Sequence, residues 1–241
     1  LGLDPRRVLD VERAMDLALP GHLYAKSPVD MACWDIAGQA AGVPIADLMG
    51  GGSRTPRPIA SSIGAKTASD TRALIDQYRA RGYIAHSVKI GGDVARDIDR
   101  IRDVEAYKQP GDIILYDVNR GWSRAQALAV MMACTDLQVM YEQPCETLDD
   151  IAAIAPRHAA PVSVDESLVT LQDAARIARD GIAEVFGIKL NRVGGLTKAA
   201  RIRDVALAHG IEMFVMATGG TVLADTEALH LAATIPDASC H

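Results

Sequence analysis

The sequence contains no CxxC pair. Its four cysteines, Cys33, Cys134, Cys145 and Cys240, are scattered. That spacing fits neither a disulfide framework nor a zinc signature, and it matches reduced thiols inside a cell. An excess of positive charge is also missing. Against 31 Asp and Glu stand 25 Lys and Arg, giving a formal charge of -6. This disfavours nucleic acid and anionic membrane surfaces as principal partners. No apolar run is long enough to span a membrane, and no secretory leader is visible, so a cytoplasmic location is expected. Low-complexity segments are absent, and the glycines of MATGGT (216–221) are not followed by the GK[ST] of a phosphate loop. There is no opening methionine. LGLDPRRVLD reads like the interior of a protein and IPDASCH stops abruptly, so the expectation is a part of a longer polypeptide.

What the chain does have is apolar mass. Of its 241 residues 49% are hydrophobic, which suffices for one large core and a fragment of a second domain. Residues 4–19 read as an amphipathic helix. SPVDMACWDIAGQAAG reads as another, with Ser27 as N-cap, Pro28 at the first helical position and Gly42 past the end. PIADLMGG is a short helical turn. SRTPRP (53–58) is a polar, proline-bearing linker and marks the domain boundary.

Beyond the linker, short apolar runs alternate with helical patterns. The runs are IASSI, HSVKI, IILYD, QVMYE, VSVDE, EVFGIK and EMFVM. The intervening helices fall near 67–81, 93–108, 123–134, 147–155, 170–179, 196–209 and 221–233. Such alternation with short connections predicts an α/β fold with a parallel sheet. Seven units are one short of a closed eight-stranded barrel.

The third to sixth runs each close on or beside a charged residue: Asp117 in YDVNRGW, Glu142 in YEQPC, Asp165 in VSVDES and Lys189 in GIKLNRVGG. The steps between them are 25, 23 and 24 residues. About 24 residues is one strand, one helix and two connections, so the four belong at the carboxyl ends of successive strands. In a barrel of this kind those ends share one mouth, where the active site sits. A lone strand-end Asp is usually a helix cap or a loop hydrogen-bonder. Three carboxylates in register can instead form an oxygen-only site for a hard divalent cation. Lys89 ends the second run and Lys189 the sixth, which places them opposite each other around such a mouth. An ordinary lysine has a pKa of about 10.4, and a nearby cation or partial desolvation lowers it. One lysine can then remove a proton alpha to a carboxylate while the other returns a proton or assists a leaving group. A single strand-end lysine can equally be a salt-bridge partner.

YDVNRGW, EQP, VDES and KLNRVGGLT, in this order and spacing, resemble motifs of the enolase superfamily. Within it the sequence is similar to the muconate lactonizing branch of the mandelate racemase-like group, from about Ser27 to Ala233. The resemblance implies a modified (β/α)7β TIM-type barrel with part of an α+β capping domain. Residues 1–52 would be the helical remainder of the cap and 53–241 the barrel, with the eighth strand and the N-terminal capping sheet outside the sequence. It implies Asp117, Glu142 and Asp165 as ligands of Mg2+, or of Mn2+, and Lys89 and Lys189 as the acid/base pair. A lysine or histidine base working with magnesium is the superfamily's general property.

The branch usually carries Lys-x-Lys on the second strand; here the segment is Ser87-Val88-Lys89. Ser87 shares a face with Lys89 and shapes the pocket, while His86 faces the other way, against a helix. Asn119 and Asn191 are candidates for bonding substrate or lysine, and Glu166 for orienting Lys189 or a water. Thr218, Gly219 and Gly220 are candidates for contacting substrate. The Ser-x-Lys variant is similar to family members acting on proline derivatives, including hydroxyproline dehydratases and betaine epimerases. The implied activity is enolate formation from a small amino-acid-like carboxylate, leading to racemisation, epimerisation or dehydration. Muconate-type cycloisomerisation is an alternative, and a catalytically silent binding barrel is another. A symmetric homo-oligomer is implied as well.

Overall fold

The computed structural model describes residues 2–64, 67–216 and 221–240. In chain order its elements are α1 (Val8–Ala18), α2 (Leu23–Ala41), α3 (Ile45–Leu48), β1 (Ala60–Ile63), α4 (Ala68–Arg79), β2 (Ala85–Lys89), α5 (Val94–Tyr107), β3 (Ile113–Asp117) and α6 (Arg124–Ala133). Then follow β4 (Met140–Glu142), α7 (Leu148–Ile154), β5 (Val162–Val164), α8 (Leu171–Asp180), β6 (Val185–Lys189), α9 (Leu190–Val193), α10 (Leu196–His209), β7 (Glu212–Met216) and α11 (Val222–Ala233). The strands succeed one another in sheet order β1 to β7, and pairing from β1 through β5 is parallel. This is the α/β fold that the alternation predicts. Among the described helices none is long and apolar enough to cross a membrane, and among the described residues no disulfide forms.

The chain divides into two compact units. One comprises Pro56–Ser167 with Asp180–Val185; the other comprises Leu1–Thr55, Leu168–Arg179 and Phe186–His241.

In the first unit, strand register explains both the core and the site. Ile63, Val88, Tyr116, Tyr141 and Val162 are successive partners across β1 to β5. All five are at most 1% exposed. In-register partners point to the same face and neighbours along a strand to opposite faces. The next row, Lys89, Asp117, Glu142 and Ser163, therefore takes the other face. Helix starts are marked by side-chain caps that the sequence supplies at the right spacing. Thr67, Asp93 and Thr147 each accept the backbone N–H three residues on, and Ser123 forms a reciprocal capping box with Gln126. His86 lies on the helix-facing side, buried, with Nδ1 2.7 Å from Ser61 Oγ. Desolvation holds its pKa below the ordinary histidine value.

In the second unit, α2 begins at Leu23 rather than at Ser27, so Ser27 and Pro28 lie inside the helix. The reason is tertiary. Lys26, buried, reaches Asp16 on α1 at 2.7 Å, and the Ser27 hydroxyl donates to the carbonyl of Leu190 instead of capping. Packing of this first turn outweighs the backbone hydrogen bond that Pro28 denies the helix. An ion-pair network joins α1 to α10: Lys198 bonds Glu12 and Asp16, and Arg201 bonds Glu12 through both terminal nitrogens at 2.6 and 2.7 Å. Met213 at the start of β7 makes a parallel bridge to Cys240.

Glu227 on α11 is only 6% exposed, and its Oε2 has no hydrogen-bond partner among the described residues. Burial, and then the charges of Asp35 and Asp30, push its pKa up to about 7. The folded state thus holds this proton more tightly than the unfolded chain does. Its charged form costs nothing below the unfolded value, and the cost grows as pH rises to about 7, reaching the order of 3 kcal/mol. Glu227→Gln is accordingly expected to melt several degrees above the parent at pH 8 and close to it at pH 4. Calorimetric melting curves that stay parallel across that range would contradict the assignment.

Candidate active site

In the first unit the strand ends form a charged row. Lys89 pairs in register with Asp117, and Asp117 with Glu142, so the three stand side by side on one sheet face. Asp165 lies one residue beyond β5 and two beyond Ser163, the register partner of Glu142. Asp117, Glu142 and Asp165 are 2%, 1% and 0% exposed. Burying three carboxylates would be costly without positive charge or hydrogen-bond donors nearby. Some are visible: Lys89 Nζ donates to Asp117 Oδ2, and the backbone N–H of Asn119 donates to Asp117 Oδ1 at 3.0 Å.

The loop after β3 is bent to make that second bond. Asn119 and Arg120 both take left-handed backbone angles, φ 47° and 67°, which asparagine tolerates better than most residues. The Asn119 amide nitrogen then donates to Glu166 Oε1 at 3.3 Å, and Arg120 pairs with the same oxygen at 3.8 Å. Glu166 Oε2 is buried and has no hydrogen-bond partner among the described residues.

Gln143 is a residue whose role the sequence reading missed, although it sits inside the EQP motif. It is fully buried with φ 41°. Its Oε1 accepts the backbone N–H groups of Asp165 and Ser167 at 3.1 and 3.0 Å, and its Nε2 donates to Ser167 Oγ and the Cys145 carbonyl. One amide thus ties the loops after β4 and β5 together and fixes the backbone that carries Asp165. A glutamine between a strand-end acid and a proline was the available signal. Ser87 is half-buried on the Lys89 face, with Ser62 of β1 as its register partner.

In the second unit Lys189 ends β6 and leads straight into the short helix α9, which holds Asn191 and Arg192. Gly187, two residues earlier on the same face, admits the Phe214 ring: a Cβ there would stand 2.9 Å from a ring carbon. Thr218, Gly219 and Gly220 lie outside the described residues.

Among the described residues no group of three His, Cys, Asp or Glu side chains is gathered to metal-holding distance. The chemistry of the donor set nevertheless suits a hard cation. It is all oxygen, buried, on neighbouring strands, and on one face for the two paired members.

The pattern described as the mandelate racemase/muconate lactonizing enzyme N-terminal domain matches residues 1–50, and the enolase C-terminal domain-like pattern matches 70–241. The chain belongs to the mandelate racemase/muconate lactonizing enzyme family of the enolase superfamily. It is 36% identical over 236 residues to a cis-3-hydroxy-L-proline dehydratase of Roseibium aggregatum, covering 98% of this chain and 64% of that one. Among solved structures, it is 81% identical, with a TM-score of 0.99, to a mandelate racemase/muconate lactonizing enzyme-type protein from Silicibacter pomeroyi, covering all of this chain and 66% of that one. It is 48% identical, with a TM-score of 0.96, to an enolase superfamily member from Roseovarius nubinhibens complexed with magnesium, covering all of this chain and 65% of that one. The chain therefore spans just under two thirds of the length of these relatives.

Proposed function

We propose that this family member takes part in magnesium-dependent removal of the proton alpha to a small substrate carboxylate, with a hydroxyproline-type imino acid as the substrate class. The observation that carries the reading is the register row. Lys89, Asp117 and Glu142 stand on three consecutive strands at one height and on one face, with both acids buried. Asp117, Glu142 and Asp165 would hold the cation, Mg2+ or Mn2+. When bound, it supplies positive charge that stabilises the developing enolate. Lys89 is assigned as the amine that meets the alpha proton, and Lys189 as the second acid/base group. With a hydroxyl on the beta carbon, loss of the alpha proton and of hydroxide completes a dehydration; return of the proton to the opposite face completes an epimerisation. The relative named for cis-3-hydroxy-L-proline supports the first outcome.

The test is proton NMR in deuterated water, using full-length protein, magnesium and a panel of cis-3-hydroxy-L-proline, proline and N-acyl amino acids. Metal-dependent loss of an alpha-proton signal supports the reading. A new imine or keto product identifies a dehydratase, and an inverted but intact skeleton an epimerase. A protein that binds no magnesium and exchanges no alpha proton would instead fit a catalytically silent barrel.

A further inference from the structure

We infer that one face of α2 positions Lys189, with Ser27 and Asp30 as its positioning residues; the inference rests on Lys189 being an amine that acts on the substrate. Leu23, Ser27, Asp30 and Trp34 recur at steps of four, three and four, which puts them on a single helix face. All four meet the segment from Leu190 to Thr197 that follows Lys189. The buried Ser27 hydroxyl donates to the carbonyl of Leu190, the residue next to Lys189, at 3.2 Å. That carbonyl also accepts the N–H groups of Gly194 and Gly195 at 3.0 and 2.7 Å, so it is the point on which the turn closes.

Asp30 holds the far side of the turn. It is 1% exposed. Its Oδ2 accepts the backbone N–H of Thr197 at 3.0 Å and its Oδ1 the Thr197 hydroxyl at 2.5 Å. It thereby caps the first turn of α10 from a helix distant in sequence, where the local cap position, Gly195, offers no side chain. Trp34 Nε1 donates to the same Thr197 hydroxyl at 2.9 Å. The approach is close enough to dictate the sequence. Gly195 has φ 110°, and a Cβ on it would lie 2.5 Å from Asp30 Oδ2. A Cβ on Gly194, with φ 96°, would lie 2.9 Å from Leu23 Cδ2.

A strand end followed by an unsupported four-residue helix would leave the Lys189 backbone free to tilt. The α2 face removes that freedom by fixing the carbonyl one residue away and the helix start beyond it. A buried carboxylate is retained here although burial raises its pKa, and Thr197 at the start of α10 supplies two of its donors. A misplacement of about 1 Å costs a reacting group on the order of 10²-fold, so hydrogen bonds of this kind are an effective place to set the aim of a lysine.

The experiment is residue-resolved acylation. Full-length protein with magnesium is treated with a small amine-reactive ester across a pH series, and labelling of Lys189 and Lys89 is read by peptide mass spectrometry in the parent, Ser27→Ala, Ser27→Thr and Asp30→Asn. The expected result is a several-fold change in Lys189 labelling with a displaced pH profile in Ser27→Ala and Asp30→Asn. Lys89 should be unaltered, and Ser27→Thr, which keeps the hydroxyl, should restore the parent profile. Lys189 profiles unchanged in both variants would overturn the inference, as would equal changes at both lysines, which mean general loosening. In parallel, alpha-proton exchange on cis-3-hydroxy-L-proline should fall in kcat more than it changes in KM for Ser27→Ala. Parent-level exchange in Lys189→Ala would overturn the catalytic reading, and the labelling profiles would still decide the positioning one.

Discussion

Lys89→Ala is expected to lower alpha-proton exchange by about 10³-fold, within the range that a positioned acid or base contributes, while leaving the chain folded. The lysine side chain is a third exposed, and its visible partner is Asp117 on the neighbouring strand. Its Cβ belongs to the charged row, not to the row of Ile63, Val88, Tyr116 and Tyr141 that makes the core. Truncation therefore removes an amine without opening a cavity. The measurement is the NMR exchange assay with circular dichroism as a folding control. Lys89→Arg is an informative companion. It keeps a positive charge that can satisfy Asp117 but cannot give up its proton near neutral pH. If the role is ion pairing alone, Arg should restore activity; if the role is proton transfer, Arg should remain as inactive as Ala. Full exchange in either variant would remove Lys89 from the chemistry.

The strand positions were legible because the strands are short apolar runs and β2 to β6 each end on, or just before, a charged residue, and that pattern has few other readings. The register row follows from the same fact: acids at strand ends spaced by one strand–helix unit land side by side. Family membership was equally legible, since four motifs in fixed order leave little room for coincidence. What the sequence hid was tertiary. Ser27 followed by Pro28 is a sound helix-start signal, yet the chain begins α2 a turn earlier because Lys26 and Ser27 find partners on α1 and beside Lys189. The four-residue helix α9 went unseen because its amphipathic pattern is too short to register. Gln143 looked like a spacer within EQP because its work is done entirely through backbone groups of another loop. Glu166, expected to orient a lysine or a water, is met by Asn119 and Arg120, and a left-handed bend at those two residues is what brings them there.

Asp165→Asn is expected to weaken magnesium binding by at least about 10²-fold, more than the loss usual for an outer partner of a metal ligand. Asp165 is fully buried, and its backbone is pinned by Gln143 through a bond that the substitution does not touch. Asparagine has nearly the same shape, so packing is preserved and one formal negative charge is removed from a stretch that also holds Asp117 and Glu142. A carboxylate that ligates the cation loses a hard anionic donor on this change, and affinity falls with it. Titration calorimetry with magnesium measures that loss, with melting curves in chelator as the folding control. Unchanged affinity would take Asp165 out of the proposed ligand set and leave Asp117, Glu142 and Glu166, whose Oε2 has no hydrogen-bond partner among the described residues, as the acids to test next.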